Sequence, residues 1–225
     1  MALSKRLGST HVLSVNSGTS AIYLALRLAG VEAGTEVIST PMTCTATNVP
    51  ILEQGARTVW ADFNPMTGNI GLDDVEHKIT PKTKNIVAVL WGGCPCELDA
   101  INRIATKHRV KLIEVAAHAF GATYIGKPIG SRSDSACFSF QAIKHLATID
   151  GGALSCRSED DFKRGQLLRC FGIDREGKRK DFRCGEDVEE HGYKFHITDV
   201  CAAVGVAQPK HIDPILDAHR ENSAF

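Results

Sequence analysis

Short apolar runs alternate with amphipathic stretches along most of the chain. His11–Val15 reads as a strand, and Thr19–Ala29 as a helix that Gly30 ends. Glu36–Ser39 is a second strand, followed by a helix over Thr43–Gln54 that Pro50 should break. Arg57–Trp60 is extended, Asn64–Asn69 is rich in turn formers, and a short helix is expected over Leu72–Ile79. Asn85–Leu90 is nearly all apolar, the pattern of a strand covered on both faces. A helix over Glu97–His108, strands over Val110–Glu114, Ala136–Phe140 and Ala153–Ser155, and helices over Glu159–Arg169, Asp199–Gln208 and Ile212–Arg220 complete the pattern. This alternation predicts an α/β fold with a mostly parallel sheet flanked by helices on both faces.

Between Phe171 and Tyr193 the pattern lapses into a polar, charged stretch with Arg175, Lys178, Arg179, Lys180 and Arg183. A solvated loop and an anion-binding or subunit-contact loop both fit it. Near Ile212–Arg220 a helix begins shortly before the last residue, so a further C-terminal portion is expected.

Composition narrows the function. The 225 residues carry 26 Lys+Arg against 26 Asp+Glu, and 43% are hydrophobic. That much apolar surface supports a packed core. A zero balance argues against nucleic acid, whose phosphates call for a basic excess. No apolar run is long enough to span a membrane, and the N-terminus lacks the apolar core of a signal peptide. The eight cysteines are irregularly spaced, with Cys94-Pro-Cys96 the only close pair. Reduced thiols in a cytoplasmic protein are expected, and with no Cys-x-x-Cys or His-x-x-x-His pair no metal is expected.

Candidate chemistry falls at strand ends. Ser17-Gly18-Thr19 joins a strand to a helix, where backbone N–H groups, a glycine and the Thr19 hydroxyl can receive an anion; the same residues also serve as a plain N-cap. Ser139 and Lys144 follow another strand, at the carboxyl edge where open α/β sheets bind ligands. A lysine there forms a Schiff base with an aldehyde if its surroundings favour the neutral amine, and otherwise is a surface cation. His118, after Glu114-Val-Ala-Ala, is either a donor to a ligand oxygen or a satisfied core histidine.

In order, Val15-Asn-Ser-Gly-Thr-Ser-Ala21, Gly34-Thr-Glu-Val-Ile38, Glu114-Val-Ala-Ala-His-Ala-Phe-Gly-Ala122, Phe138–Gly152, Gly192-Tyr-Lys-Phe-His-Ile-Thr-Asp199 and Ala202-Ala-Val-Gly205 resemble the DegT/StrS family of sugar-nucleotide aminotransferases. The resemblance implies the large domain of the aspartate-aminotransferase-like fold (fold type I) over residues 1–225, with the family's C-terminal small domain absent. It implies pyridoxal 5'-phosphate (PLP) as cofactor, an amino acid donor such as glutamate, a nucleotide-linked 4-keto-6-deoxy sugar as acceptor, and a homodimer. The Phe-Gln-Ala-Ile-Lys-His wording leans toward perosamine-synthase-like members. By this likeness Lys144 is the Schiff-base lysine and proton shuttle. Gly18, Thr19 and Ser139 hold the phosphate, and His118 lies against the ring. Lys194, in place of the family's Asn, reaches a neighbouring subunit's phosphate.

Three departures stand out. Val115 replaces the Asp that keeps the pyridine nitrogen protonated, which predicts a weaker electron sink. Cys44 falls where relatives carry a stacking aromatic, with Trp91 as a substitute wall. The chain is also shorter at both ends. Val115 and the missing ends support an alternative, a non-catalytic homologue that binds PLP or sugar nucleotide or merely dimerises. Lys144 argues against the family's dehydratase branch, which carries histidine at that position.

Overall fold

In the computed structural model, residues 2–175 and 188–223 are described; Lys178, Arg179, Lys180, Arg183 and Cys184 lie outside them. The chain runs α1 (Ala2–Leu7), β1 (Val12–Val15), α2 (Gly18–Leu28), β2 (Glu36–Ser39), α3 (Thr45–Glu53), β3 (Arg57–Trp60), α4 (Leu72–His77), β4 (Thr83–Val89) and α5 (Leu98–His108). It continues with β5 (Lys111–Val115), β6 (Thr123–Tyr124), β7 (Lys127–Pro128), β8 (Ser135–Ser139), β9 (Gly152–Cys156), α6 (Glu159–Leu168), α7 (Asp199–Ala207) and α8 (Ile212–Asn222).

Seven strands form one sheet in the order β1-β9-β8-β5-β4-β2-β3. The pairs β2–β3, β2–β4, β4–β5 and β5–β8 are parallel, and β9 alone runs antiparallel, to both β8 and β1. The fold is therefore α/β with a mostly parallel sheet, as the pattern predicts. Every residue of β9 is buried, which is why it reads as an unbroken apolar or small-residue run, and β2 is buried throughout as well, Glu36 included.

Each face of the sheet carries its own core. On one, Val87, Ile113, Val115, Cys137 and Leu154 pack against Leu24 and Leu28 of α2, Ile51 of α3 and Leu168 of α6. On the other, Ile86, Leu112 and Phe138 meet Val75 of α4, Leu98 and Ile101 of α5, and Ile212 of α8. Helix α7 belongs to neither core. It is built almost wholly of Val, Ala, Gly and Cys, yet none of its residues is buried.

The expectation that Pro50 breaks its helix is corrected: α3 continues through it to Glu53. Proline removes one intrahelical N–H bond, but its ring is buried beside the fully buried Ile51, so packing holds the helix together. The pattern also missed α1 and the β6–β7 hairpin, both too short for periodicity to register.

Among the described residues, Arg109, Ile125, Ile149 and Phe171 carry a positive φ, and two of these, Ile125 and Ile149, are β-branched. Ile149 sits at φ +70°, in the left-handed region, with its side chain 60% exposed. A β-branched residue there costs about 1–2 kcal/mol, while glycine gives back up to about 1 kcal/mol through unfolded-chain entropy. Ile149→Gly is expected to stabilise the protein, raising Tm by roughly 2–4 °C per kcal/mol gained. A thermal melt showing an unchanged or lower Tm would mean that Ile149 contributes packing that offsets the strain.

Candidate active site

The carboxyl ends of β4, β5 and β8 and the start of α2 enclose a cavity of about 550 Å³. Its anion-accepting end is built by the β1–α2 turn. Ser17 caps α2, its hydroxyl accepting from the Ser20 N–H at 3.0 Å, while the Ser20 hydroxyl donates to Asn16 Oδ1 at 2.6 Å. The first N–H groups of a helix have no intrahelical acceptor, and Gly18 and Thr19, which carry them here, line the cavity. A side chain at position 18 would place its Cβ 2.8 Å from Ser139 Cβ, so only glycine lets the helix start meet the end of β8. Backbone N–H groups, the helix dipole and the Thr19 and Ser139 hydroxyls thus belong to the lining of one cavity, a setting that favours an anion.

Lys144 stands beyond β8, on the excursion that joins it to β9. That excursion is closed at its base, where the Phe140 N–H donates to Gly151 O and the Thr148 N–H to Phe140 O, both at 2.8 Å. Lys144 is half-buried, and burial lowers its pKa from the ordinary lysine value, partly offset by Cys44 nearby. His118 follows β5 and meets Trp91 edge-on, with ring centroids 6.1 Å apart. Burial lowers its pKa first, and Lys144 and His145 lower it further, so the imidazole is biased toward its neutral form.

The floor of the cavity is a row across three strands. Val89 of β4 pairs in register with Val115 of β5, and Val115 with Cys137 of β8. All three line the cavity. Asp150 is the one carboxylate among the described lining residues, and it is exposed at the rim.

Glu114, next to Val115 in sequence, cannot take the floor position because strand alternation sends it to the other face. There the Ser133 hydroxyl donates to Glu114 Oε1, while Oε2 has no partner among the described residues. Burial raises the Glu114 pKa above the ordinary carboxylate range, against the lowering effect of Ser133. A carboxyl whose folded pKa is raised contributes stability at low pH that is lost as pH rises through that pKa. Glu114→Gln removes this loss. Its Tm relative to the parent is expected to improve as pH rises above about 5, the direction that the raised pKa of Glu114 sets. A parent–variant difference that stays flat over that range would show that Glu114 titrates normally.

Of the residues singled out from sequence, Gly18, Thr19, His118, Ser139 and Lys144 all line this one cavity, as do Cys44, Trp91 and Val115. Lys194 does not. It is exposed, its carbonyl accepts from Asn16 Nδ2 at 3.2 Å, and its backbone forms an isolated bridge with Cys170. Sequence reasoning missed Cys137 and Thr47 as lining residues. The signal for Cys137 was available, since it stands two residues before Ser139 on one strand and so shares its face.

Residues 1–225 match the family model described as the DegT/DnrJ/EryC1/StrS aminotransferase family. The chain is 36% identical to GDP-perosamine synthase of Caulobacter vibrioides over 211 residues, 94% of this chain and 55% of that protein. It superposes on the sugar aminotransferase CalS13 of Micromonospora echinospora with a TM-score of 0.93 at 38% identity, covering 100% of this chain and 62% of that one. The PLP form of Spr1654 from Streptococcus pneumoniae is similar at TM-score 0.86 and 30% identity, over 94% of this chain and 58% of that one. The chain spans a little over half the length of the curated relatives it matches, between 55% and 58%.

Proposed function

The chain belongs to the DegT/DnrJ/EryC1/StrS aminotransferase family, and from that premise we propose that its cavity binds PLP and moves an amino group from an amino acid to a nucleotide-linked sugar. Glutamate is the proposed donor and a 4-keto-6-deoxy sugar the proposed acceptor. The observation that carries the reading is the placement of Lys144, a half-buried amine with a lowered pKa, in the same cavity as the open N-terminus of α2. Two parts of the cavity fit PLP. The Gly18–Thr19 turn with Ser139 suits its phosphate, and Lys144 suits its aldehyde. The floor supplies no carboxylate to hold a charged ring nitrogen, so the proposed fit is to an uncharged ring.

When bound, PLP supplies an aldehyde that takes up the amino group and a ring that draws electrons from the substrate carbon. The protein's part is positional and proton-handling. Gly18 and Thr19 anchor the phosphate through backbone N–H groups and one hydroxyl, with Ser139 as a further donor. Lys144 Nζ holds the cofactor and then carries the proton to and from the substrate carbon, a task suited to an amine whose pKa has been lowered. Neutral His118 offers an imidazole face and a ring N–H to the cofactor. The apolar row Val89–Val115 excludes water from beneath it.

A homodimer is proposed as the working form. Helix α7 exposes Val200 and Val206 at 68% and 79%, an apolar surface of the kind that a partner covers. Lys194, outside its own chain's cavity, is then the residue proposed to reach the partner's phosphate. The described cysteines are free thiols, which suits a cytoplasmic setting.

Val115 favours a second reading, a homologue that binds PLP or sugar nucleotide without turning it over. Titrating PLP into the protein and then adding L-glutamate separates the two. Conversion of bound cofactor from its aldehyde to its amine form supports the transferase. Stable PLP binding with no conversion supports the binding protein.

A further inference from the structure

We propose that the thiol of Cys137 donates a hydrogen bond to the ring nitrogen of the cofactor, from the strand beside the one that carries Val115. The proposal rests on the reading of the cavity as a PLP site and deepens it.

The floor row places Cys137 directly beside Val115, in register across the β5–β8 pair. Ser139, two residues on, faces the start of α2, so alternation along β8 turns Cys137 to that same face, deeper in the cavity. Cys137 is 1% exposed and lines the cavity. Its sulfur makes no hydrogen bond among the described residues, whereas the equally buried Cys96 Sγ reaches Val89 O at 3.3 Å. A buried polar atom facing a cavity with no partner is a place where a ligand atom gains one.

The shape of the cofactor brings the right atom there. In PLP the phosphate arm and the aldehyde stand on adjacent ring carbons, and the nitrogen lies directly across the ring from the aldehyde carbon. With the phosphate at Gly18–Thr19 and the aldehyde toward Lys144, the nitrogen edge points away from the rim and down to the floor. Among the other polar lining groups, Thr43 and Thr47 bond each other at 2.8 Å, rim residue Asp150 accepts from the Gly151 N–H at 2.9 Å, and the second lining thiol, Cys44, is exposed rather than buried in the floor.

Burial pushes the Cys137 thiol well above its ordinary range, with Cys156 and Glu114 adding to the effect. The group therefore stays a thiol, a donor without charge, and leaves the ring nitrogen an unprotonated acceptor.

The test uses holoprotein loaded with PLP labelled with 15N in the ring, read by NMR and by PLP titration. In the parent, the ring resonance is expected at the position of an unprotonated pyridine and unchanged between about pH 6 and about pH 8.5. Cys137→Val is expected to move it further toward free pyridine and to weaken PLP binding roughly threefold to tenfold, the size of one neutral hydrogen bond. Cys137→Ser, which keeps a donor, should restore both. A parent resonance at the pyridinium position, or a Cys137→Val protein with unchanged resonance and affinity, overturns the proposal while leaving the PLP site standing. A parent that takes up no PLP overturns the site itself, and this inference with it.

Discussion

Lys144→Ala is expected to abolish borohydride-fixed incorporation of PLP and to slow amino transfer by roughly a thousandfold or more, the range lost with an essential proton-transfer group. Lys144 is the one amine among the described residues lining the cavity. Its neighbour His145 is half-buried and stacks edge-on against His219 of α8, ring centroids 4.7 Å apart, so it is committed elsewhere. Because Lys144 is only half-buried, its removal should leave Tm nearly unchanged, within the half kcal/mol or so typical of surface changes. Lys144→Arg sharpens the test. It keeps the positive charge but offers no amine able to condense with an aldehyde. Peptide mapping after reduction is the measurement, and label that persists in either variant at another residue would remove Lys144 from its proposed role.

Val115→Asp is expected to accelerate the half-reaction with glutamate by about tenfold to a hundredfold. That is the gain from one charge-assisted hydrogen bond of about 1.5–3 kcal/mol, which favours a protonated ring nitrogen and hence a stronger electron sink. The same change should destabilise the cofactor-free protein by about 1–3 kcal/mol, because it puts a carboxylate at a position 4% exposed between Val89 and Cys137. Adding PLP should recover much of that loss, since ligand binding favours the folded state. Stopped-flow spectra and melts with and without PLP read both effects. A variant as slow as the parent would mean that the ring nitrogen does not face the floor row.

Much of this arrangement is legible in sequence, and the reasons differ by element. Asn85–Leu90 reads correctly as a strand because a segment covered on both faces is apolar throughout, and β4 indeed runs from Thr83 to Val89. The strand-end placement of Gly18, Ser139 and Lys144 follows from the parallel-sheet rule. Strand order does not follow from local pattern. Pairing β1 with β9, and seating Gly18 on Ser139, are choices made by tertiary packing between distant segments. Pro50 misled because propensity yields to burial. Cys137 was passed over because a thiol reads as core until a cavity is seen above it. Lys194 was placed by resemblance, and it is not among the residues that line its own chain's cavity.

The excursion that bears Lys144 closes on itself, with Phe140 and Gly151 sealing its base and Thr148 tying its middle back to Phe140 and to the Asp150 carbonyl. The ladder of β8 and β9 lies outside the loop, and none of residues 141–150 pairs in it, although Leu146 packs into the core below. Those residues behave as an exchangeable cartridge. A segment of equal length from a relative could be spliced in without re-threading a strand, carrying a different reactive side chain on an unaltered frame. Such chimeras would let the choice of reactive group be varied while the Gly18–Thr19 turn at the start of α2 is left unchanged.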